Sequence, residues 1–390
     1  KCGNGTRNGA ACVPERRTSM KKKIAVLFGG SSSEHEISRM SASFVLKNLS
    51  REQYDIYVVG ITKEGKWFLT QASIDEITDG SWEARADNRQ AFLSPDRSIR
   101  GMAVLSPEGA CKIIPLDCVF PVLHGKNGED GTIQGVLQLA GIPFVGCGLL
   151  ASAVCMDKTV SHTLLSAAGI PQAKNLWFYA SDFSKERGRI LDRIQKEIGW
   201  PVFVKPANAG SSVGVSKASS PEELNASVKL AAAEDTRIVV EEAVVGQEVE
   251  CAVLGNEEPE AALVGEIAAS AAFYDYDDKY INGTSQLYIP AHLSETVMQE
   301  IRSIACRAYR VLGCEGLARV DFFVRGGNEV LLNELNTLPG FTAISMYPKL
   351  WEACGVTAEE LLERLIQCAA QRQNELAAAG RKSDQGLLPF

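Results

Sequence analysis

The 390-residue sequence has no apolar run long enough to cross a membrane as a helix, which sets aside a helical integral membrane protein. It has no surplus of positive charge either. Lys and Arg number 40 against 48 Asp and Glu, a formal net charge of -8, which excludes the basic profile of a nucleic-acid binder. An anionic ligand must therefore be met by a few lysines and arginines gathered locally. The four histidines (His35, His124, His162 and His292) are too dispersed to suggest a zinc site by spacing. The eleven cysteines are odd in number, scattered and without a Cys-x-x-Cys pair. Cys111, Cys118, Cys147, Cys155 and Cys251 sit in apolar stretches, as small hydrophobes do. That usage predicts a reducing, cytoplasmic location. There is no internal repeat and no low-complexity linker.

What is present is ordinary for a globular enzyme: 45% hydrophobic and 23% charged residues, over a length that predicts two or three domains. Lys1 to Met20 differ from the rest, with Gly, Asn, Arg and two Cys and no apolar core. They read as a disordered extension before a start at Met20. Lys23 to Phe28 is a short apolar strand, Gly29 to Ser33 a turn, and Glu34 onward a helix with Ile37, Met40 and Phe44 on one face. Strand, glycine turn and helix open an α/β sheet, in which ligands bind at the carboxyl ends of strands. Gly-x-Gly-x-x-Gly is missing from Phe28 to Ser33, however, which speaks against a nicotinamide-dependent oxidoreductase. Tyr54 to Ile61 and Asp117 to Leu123 read as further strands, and Arg85 to Arg100 as a polar surface insertion. A second unit carries a helix around Lys158, strands at Val202–Lys205 and Ile238–Val240, and a helix opened by Pro221. A third begins with an alternating strand, Glu248 to Leu254. Its helix from Ser294 has Val297, Ile301, Ile304, Ala308 and Leu312 on one stripe and stops at Gly313. A last helix starts at the capping box Thr357-x-x-Glu360, and residues beyond about Arg372 read as a fraying tail.

Arg319 to Val324 and Glu329 to Asn336 read as two strands joined at Gly326-Gly327. A two-glycine turn pairs Arg319 with Glu334 and Asp321 with Leu332, leaving Asp321 and Glu334 as diagonal neighbours. Arg319, Asp321, Glu334 and Asn336 then share one face. Two carboxylates and an amide, without Cys or His, suit Mg²⁺ shared with substrate phosphates. A solvated hairpin with an incidental ion pair is the plainer alternative.

Three more segments carry chemistry. Pro206 to Gly214 follows a strand ending in Lys205, and its small residues let backbone N–H groups close over phosphates; a plain hairpin is the alternative. Lys158 is a candidate second phosphate contact, although a lone helix lysine is more often simply solvated. Leu123 to Gly131 places His124 in a glycine-rich loop after a strand, where it can meet a substrate carboxylate or merely be satisfied by the protein. Phe273 to Tyr280 is densely aromatic and acidic, a pattern expected of a lid that excludes water, or of an edge strand.

In this order the segments resemble the D-alanine–D-alanine ligases of the ATP-grasp superfamily, from about Lys21 to Ala370. The resemblance rests on Gly29-Gly30-Ser31-Ser32-Ser33-Glu34, His124-Gly125-x-x-Gly128-Glu129-Asp130-Gly131, Met156-Asp157-Lys158, and Lys205-Pro206 with Gly210-Ser211-Ser212-x-Gly214. It continues in Phe273-Tyr274-Asp275-Tyr276 with Lys279-Tyr280, Arg319-x-Asp321, and Glu334-x-Asn336-Thr337-x-Pro339-Gly340. The implied fold is α/β (α+β): an ATP-grasp fold with an N-terminal Rossmann-like open-sheet domain. Residues 21–145 would form that substrate domain, 146–242 the central ATP-grasp domain and 243–372 the C-terminal Mg-binding domain, between the 1–20 extension and a 373–390 tail.

The resemblance also implies a reaction. ATP phosphorylates one D-alanine, and the amine of a second attacks the acyl phosphate, for peptidoglycan precursor synthesis. Asp321, Glu334 and Asn336 would hold two Mg²⁺ (or Mn²⁺) ions, with Glu334 bridging. Lys158 and Lys205 would bind phosphates, with Ser212 in the phosphate loop and Lys279 reaching the γ-phosphoryl group. Arg319 and the Gly340 N–H would form the oxyanion site. Glu34 would take the first ammonium with His124 nearby, and Ser211 and Tyr280 would link Glu34 to the second substrate. Ser345 would meet that substrate's carboxylate, with Met346 shaping its pocket. Adenine would lie beside Glu241, Glu242 and Val244, with Glu248 on the ribose; many relatives carry Lys where Glu242 stands. Lys279-Tyr280 favours D-alanine as second substrate, D-serine is the alternative, and a non-catalytic nucleotide-binding module is a distant one. A homodimer is the family expectation.

Overall fold

The computed structural model describes residues 21–210, 213–268 and 286–385. Three sheets organise them. The first begins with β1 (Lys22–Gly29), whose last six residues are all buried. Helix α1 (His35–Asn48) returns the chain to β2 (Tyr54–Ile61), which lies parallel to β1. Next come β3 (Trp67–Thr70), α2 (Ile74–Asp79), β4 (Arg89–Leu93), β5 (Gly101–Leu105) and β6 (Cys111–Pro115), an antiparallel extension. β7 (Cys118–Val122) then returns to the parallel side of β1 and leads into α3 (Thr132–Ala140). The sheet order is β6-β5-β4-β3-β2-β1-β7, so the parallel trio lies at one end.

Three local expectations change here. Arg85 to Arg100 is not an irregular insertion, because it holds β4, which buries Ala91 and Leu93. Two buried side chains are too few to give a periodic signal. Cys111 is exposed at the start of β6. In α1, Met40 is 40% exposed, and the inner face is Ile37, Ser38, Ser41, Ala42 and Val45. Ser38 and Ser41 have no exposure at all. The Ser38 hydroxyl accepts from the Gly29 N–H at 2.8 Å and donates to the Val122 carbonyl. Small polar residues thus pin α1 to the carboxyl ends of β1 and β7.

Helices α4 (Leu149–Met156) and α5 (Lys158–Ala167) meet at Asp157, which caps α5 by accepting from the Thr159 and Val160 N–H groups. The second sheet, order β10-β9-β11-β8, is antiparallel. It contains β8 (Asn175–Tyr179), β9 (Val202–Pro206), β10 (Ser216–Ala218) and β11 (Arg237–Glu242). Helices α6 (Ala180–Arg193) and α7 (Pro221–Ala232) cover it, and Val202, Val204, Ile238 and Val240 pack with Leu224 and Val228.

The third sheet contains β12 (Gln247–Gly255), β13 (Glu260–Ala268), β14 (Gln286–Tyr288), β15 (Gly316–Arg325) and β16 (Glu329–Asn336), in the order β14-β13-β12-β15-β16. Helix α8 (Glu295–Val311) lies on one face, with Val297, Ile301, Ile304, Ala308 and Leu312 buried as their spacing predicts. Helices α9 (Met346–Ala353) and α10 (Ala358–Gln385) lie on the other. Strand β12 is therefore buried on both sides rather than half-exposed: Val249, Cys251 and Val253 join the α8 core, Ala252 and Leu254 the opposite one.

Helix α10 continues beyond Arg372, where fraying was expected. Arg372 is only 7% exposed. Its guanidinium donates to the Phe144 and Gly146 carbonyls at 2.7 Å each and lies 4.3 Å from the Phe144 ring centre. The segment leaving the first sheet is thereby tied to the last helix. Arg372→Met keeps the aliphatic stem but orphans two buried carbonyls, so urea unfolding should show a loss of about 2–4 kcal/mol. A loss below about 0.5 kcal/mol would show that the contact is not stabilising.

Candidate active site

The three sheets enclose a cavity of about 570 Å³. Glu34 and His124 reach it from the first sheet's region, Lys158 from α5, and Lys205, Glu241, Glu242 and Val244 from the second sheet and its exit. Glu248, Arg319, Asp321, Glu334, Asn336, Gly340, Ser345 and Met346 line it from the third. Ser211, Ser212, Lys279 and Tyr280 lie outside the described residues. Segments remote in sequence thus converge on one space.

The β15–β16 hairpin departs from the simplest pairing in two places. Its turn has three residues, Gly326-Gly327-Asn328, between the paired Arg325 and Glu329, and both glycines have positive φ (60° and 77°). Asn333 then bulges: Phe322 faces Leu332, but Asp321 faces Glu334 and Arg319 faces Asn336. Each single-residue offset alone would turn the side chains to the other face. Together they restore the face and bring Asp321 and Glu334 directly opposite, not diagonal.

On that face the Arg319 guanidinium grips Asp321 with two 2.7 Å hydrogen bonds. Its Nε lies 3.1 Å from Glu250 Oε2. Asn336 Nδ2 donates to Asp321 Oδ2 at 2.9 Å. Among the described residues no group of three or more His, Cys, Asp or Glu is arranged around a metal position. The third donor here is an amide. Rotating the Asn336 amide would present its oxygen, giving Asp321, Glu334 and Asn336 as an all-oxygen set that fits Mg²⁺ chemistry.

Lys158 opens α5 with its amide N–H on the Ala207 carbonyl and its ammonium on the Ala209 carbonyl at 3.1 Å. Its Nζ is 3.7 Å from Glu334 Oε2, so the lysine crosses from the small-residue loop to the acidic hairpin. Lys205 Nζ lies 2.6 Å from Glu241 Oε2, and His162 Nε2 lies 2.9 Å from Glu241 Oε1. Burial opposes ionisation of Glu241, but the Lys205 charge and the His162 contact overcome it and hold the carboxyl well below its ordinary range. Burial likewise opposes the Lys205 charge, which Glu241 outweighs, raising the lysine. Glu242 has its carboxylate 2.5 Å from Arg325 Nη2 and its N–H on the Lys174 carbonyl at 2.8 Å. Both groups are thus engaged by the protein.

Glu34, 6% exposed, stands just ahead of α1 with its carboxylate close to Gly125 and Gly210. A Cβ on Gly125 would fall 2.3 Å from Glu34 Oε2, so this approach requires glycine. His124 is 4% exposed, and protein atoms meet both ring nitrogens: Ser41 Oγ at 2.9 Å and the Leu338 carbonyl at 3.1 Å. Glu129, 3.6 Å from His124 Nδ1, completes an acidic flank. Burial raises its pKa against the pull of His124, and Glu34 adds to the rise. Burial lowers that of His124, but Glu129 prevails and raises it. At Gly340 a Cβ would stand 2.9 Å from Ser345 Oγ. That hydroxyl pairs with Thr342 through its N–H (3.0 Å) and Oγ1 (2.8 Å), ahead of the first turn of α9.

The family model described as "D-ala D-ala ligase N-terminus" matches residues 23–147, and "D-ala D-ala ligase C-terminus" matches 164–367. The chain belongs to the D-ala D-ala ligase family. It is 49% identical over 366 residues to the D-alanine–D-alanine ligase of Acetivibrio thermocellus, covering 91% of this chain and 97% of the relative. The corresponding enzyme of Caldicellulosiruptor bescii is 47% identical over 356 residues, covering 91% and 97%. Among solved structures, the VanG D-Ala:D-Ser ligase of Enterococcus faecalis superposes with a TM-score of 0.82 at 41% identity, covering 90% of this chain and all of that one. The D-alanine–D-alanine ligase of Coxiella burnetii gives 0.82 at 36% identity, covering 94% and 99%. The three-sheet α/β architecture is the ATP-grasp fold of these ligases.

Within this ligase framework the sequence motifs do not assign Ser41, Glu129, His162 or Glu250. Glu129 sits inside the quoted glycine loop, so its position was legible though its role was not. Ser41, His162 and Glu250 gave no local signal, since each acts through a partner at least 69 residues away: His124, Glu241 and Arg319. The buried Lys205–Glu241–His162 chain makes a pH prediction. Glu241→Gln should cost about 3 kcal/mol at neutral pH by leaving the Lys205 charge buried without its counter-charge. The unfolded chain protonates Glu241 near the ordinary 4.5 while the folded chain keeps it ionised. The difference between wild type and variant should therefore be full above that pH and shrink as pH falls below it. Urea unfolding across pH 3 to 8 checks this, and a pH-independent difference would contradict it.

Proposed function

We propose that the protein joins two D-alanines into D-alanyl-D-alanine, with ATP converted to ADP and phosphate. One observation carries the reading: Lys158, Lys205, Arg319 and the Gly340 loop share a cavity with the opposed Asp321–Glu334 pair. A carboxylate is a poor electrophile, so its oxygen first bonds to the γ-phosphorus as the bond to ADP breaks. The second amine then forms the C–N bond, loses a proton, and the acyl C–O bond releases phosphate. Asp321, Glu334 and Asn336 would hold Mg²⁺, two ions in this reading, which neutralise phosphate charge when bound.

The chain's own residues do the rest. Lys158 and Lys205 meet phosphate oxygens, and Glu34 faces the first ammonium. Arg319 and the Gly340 N–H stabilise the oxyanion at the attacked carbonyl carbon. The first turn of α9 and Ser345 face the second carboxylate, with Met346 beside it. Glu242 and Val244 flank the adenine and Glu248 the ribose, while Glu241 contributes by holding Lys205. Ser211, Ser212, Lys279 and Tyr280 carry the parts that their motifs imply. This reading includes a homodimer, a cytoplasmic location and a place in peptidoglycan precursor synthesis.

A D-alanine–D-serine ligase is the second reading, supported by the 41% identity to a D-Ala:D-Ser ligase. Purified protein with ATP and Mg²⁺ should release phosphate with D-alanine alone at neutral pH. Turnover appearing only after D-serine is added would decide for the second reading. Glu334→Gln should lower kcat at least 100-fold by removing one oxygen charge from the phosphate-facing wall. Unchanged turnover would overturn the role of the hairpin.

A further inference from the structure

The loop that presents Gly340 is held from behind by two buried side chains of the first sheet's region. Ser41 projects from α1 with no exposure, and its hydroxyl accepts from the Phe341 N–H at 3.2 Å. The same hydroxyl meets His124 Nε2 at 2.9 Å, while His124 Nδ1 meets the Leu338 carbonyl at 3.1 Å. A carbonyl only accepts, so Nδ1 carries the proton and neutral Nε2 accepts from Ser41. One hydroxyl thereby fills both its roles. The bonds grip the chain on both sides of Pro339-Gly340, and proline has no N–H of its own.

We propose that Ser41 and His124 form a bracket that positions the Gly340 N–H for the reaction, with His124 acting through the loop and not as a ligand of the substrate carboxylate. This rests on the ligase reading above. The bracket explains why α1 carries a serine where an apolar residue would otherwise pack. It also survives titration of the imidazole, which Glu129 and Glu34 face: the Nδ1–H bond to Leu338 exists in both protonation states, and a protonated Nε2 donates to Ser41 instead.

The test is a cycle of Ser41→Ala, His124→Asn and the double variant, assayed at saturating ATP with D-alanine varied. Ser41→Ala should lower kcat about 10-fold and leave KM for D-alanine within about 2-fold. The double variant should be no slower than the worse single one by more than about 2-fold, as expected of residues acting as a unit. Ser41→Cys, nearly the same shape but a weak hydrogen-bonding group, should be impaired in the same sense. Wild-type kcat in both Ser41 variants, or a His124→Asn effect confined to KM, would overturn the bracket. Amide exchange at Phe341 is a readout independent of substrate: it should accelerate about 10-fold in Ser41→Ala under conditions where global stability is retained. Unchanged protection overturns the proposal, whereas a wild type that turns over no D-alanine overturns only the function assigned above.

Discussion

A cavity in which eight of the described lining residues are acidic and four are Lys or Arg cannot accept a polyanionic nucleotide without further positive charge. The rest of the site follows from that constraint. Three of the four cations are braced by carboxylates: Lys205 by Glu241, Lys158 by Glu334, and Arg319 by Asp321 and Glu250. Bracing keeps the long side chains in place and limits the desolvation penalty of burying them. It also leaves the site short of positive charge; in the proposed function that shortfall is met by Mg²⁺ on the all-oxygen donor set of β15 and β16, beside Lys158 and Lys205. Under that reading a chain with a net charge of -8 meets its anionic substrates with these few cations and the metal ions beside them.

The bracing separates residues that touch a ligand from residues that hold those that do. Glu241 lines the cavity, yet its carboxylate is shared between Lys205 and His162. Glu242 lines it too, but pairs with Arg325 at the end of β15. That contact joins the second and third sheets beside the cavity. Glu242 therefore has a structural partner, supplied by the hairpin itself.

Much of this was legible in the sequence, and the losses have physical causes. Apolar strands and the periodic face of α8 could be read because burial imposes period 2 or 3.6 on large side chains. Strand β4 was lost because it buries only two residues, and the inner face of α1 because serines stand among its buried positions. The alternation of β12 could not show that helices cover both its faces. At the site, residue identity marked Asp321, Glu334 and Lys205, but not their register. A three-residue turn and a bulge at Asn333 compensate each other, so the correct face emerged from a pairing that was two residues out.

The serines of α1 show what such losses conceal. Apolar packing is strong but non-directional, and it tolerates small rotations of a helix against a sheet. Hydrogen bonds to a carbonyl or an N–H fix direction as well as distance. Ser38 fixes α1 against the ends of β1 and β7, and Ser41, one helical turn on, carries that alignment through His124 to the Leu338–Phe341 loop. Glu34, at the start of the same helix, is placed by the same bonds. Glu34 and the Leu338–Phe341 loop, assigned above to the first ammonium and the oxyanion, thus share one rigid reference, although more than 300 residues separate them in sequence. A reaction in which one carboxyl group is phosphorylated and then attacked needs its two ends held in register, and α1 is the element that connects them.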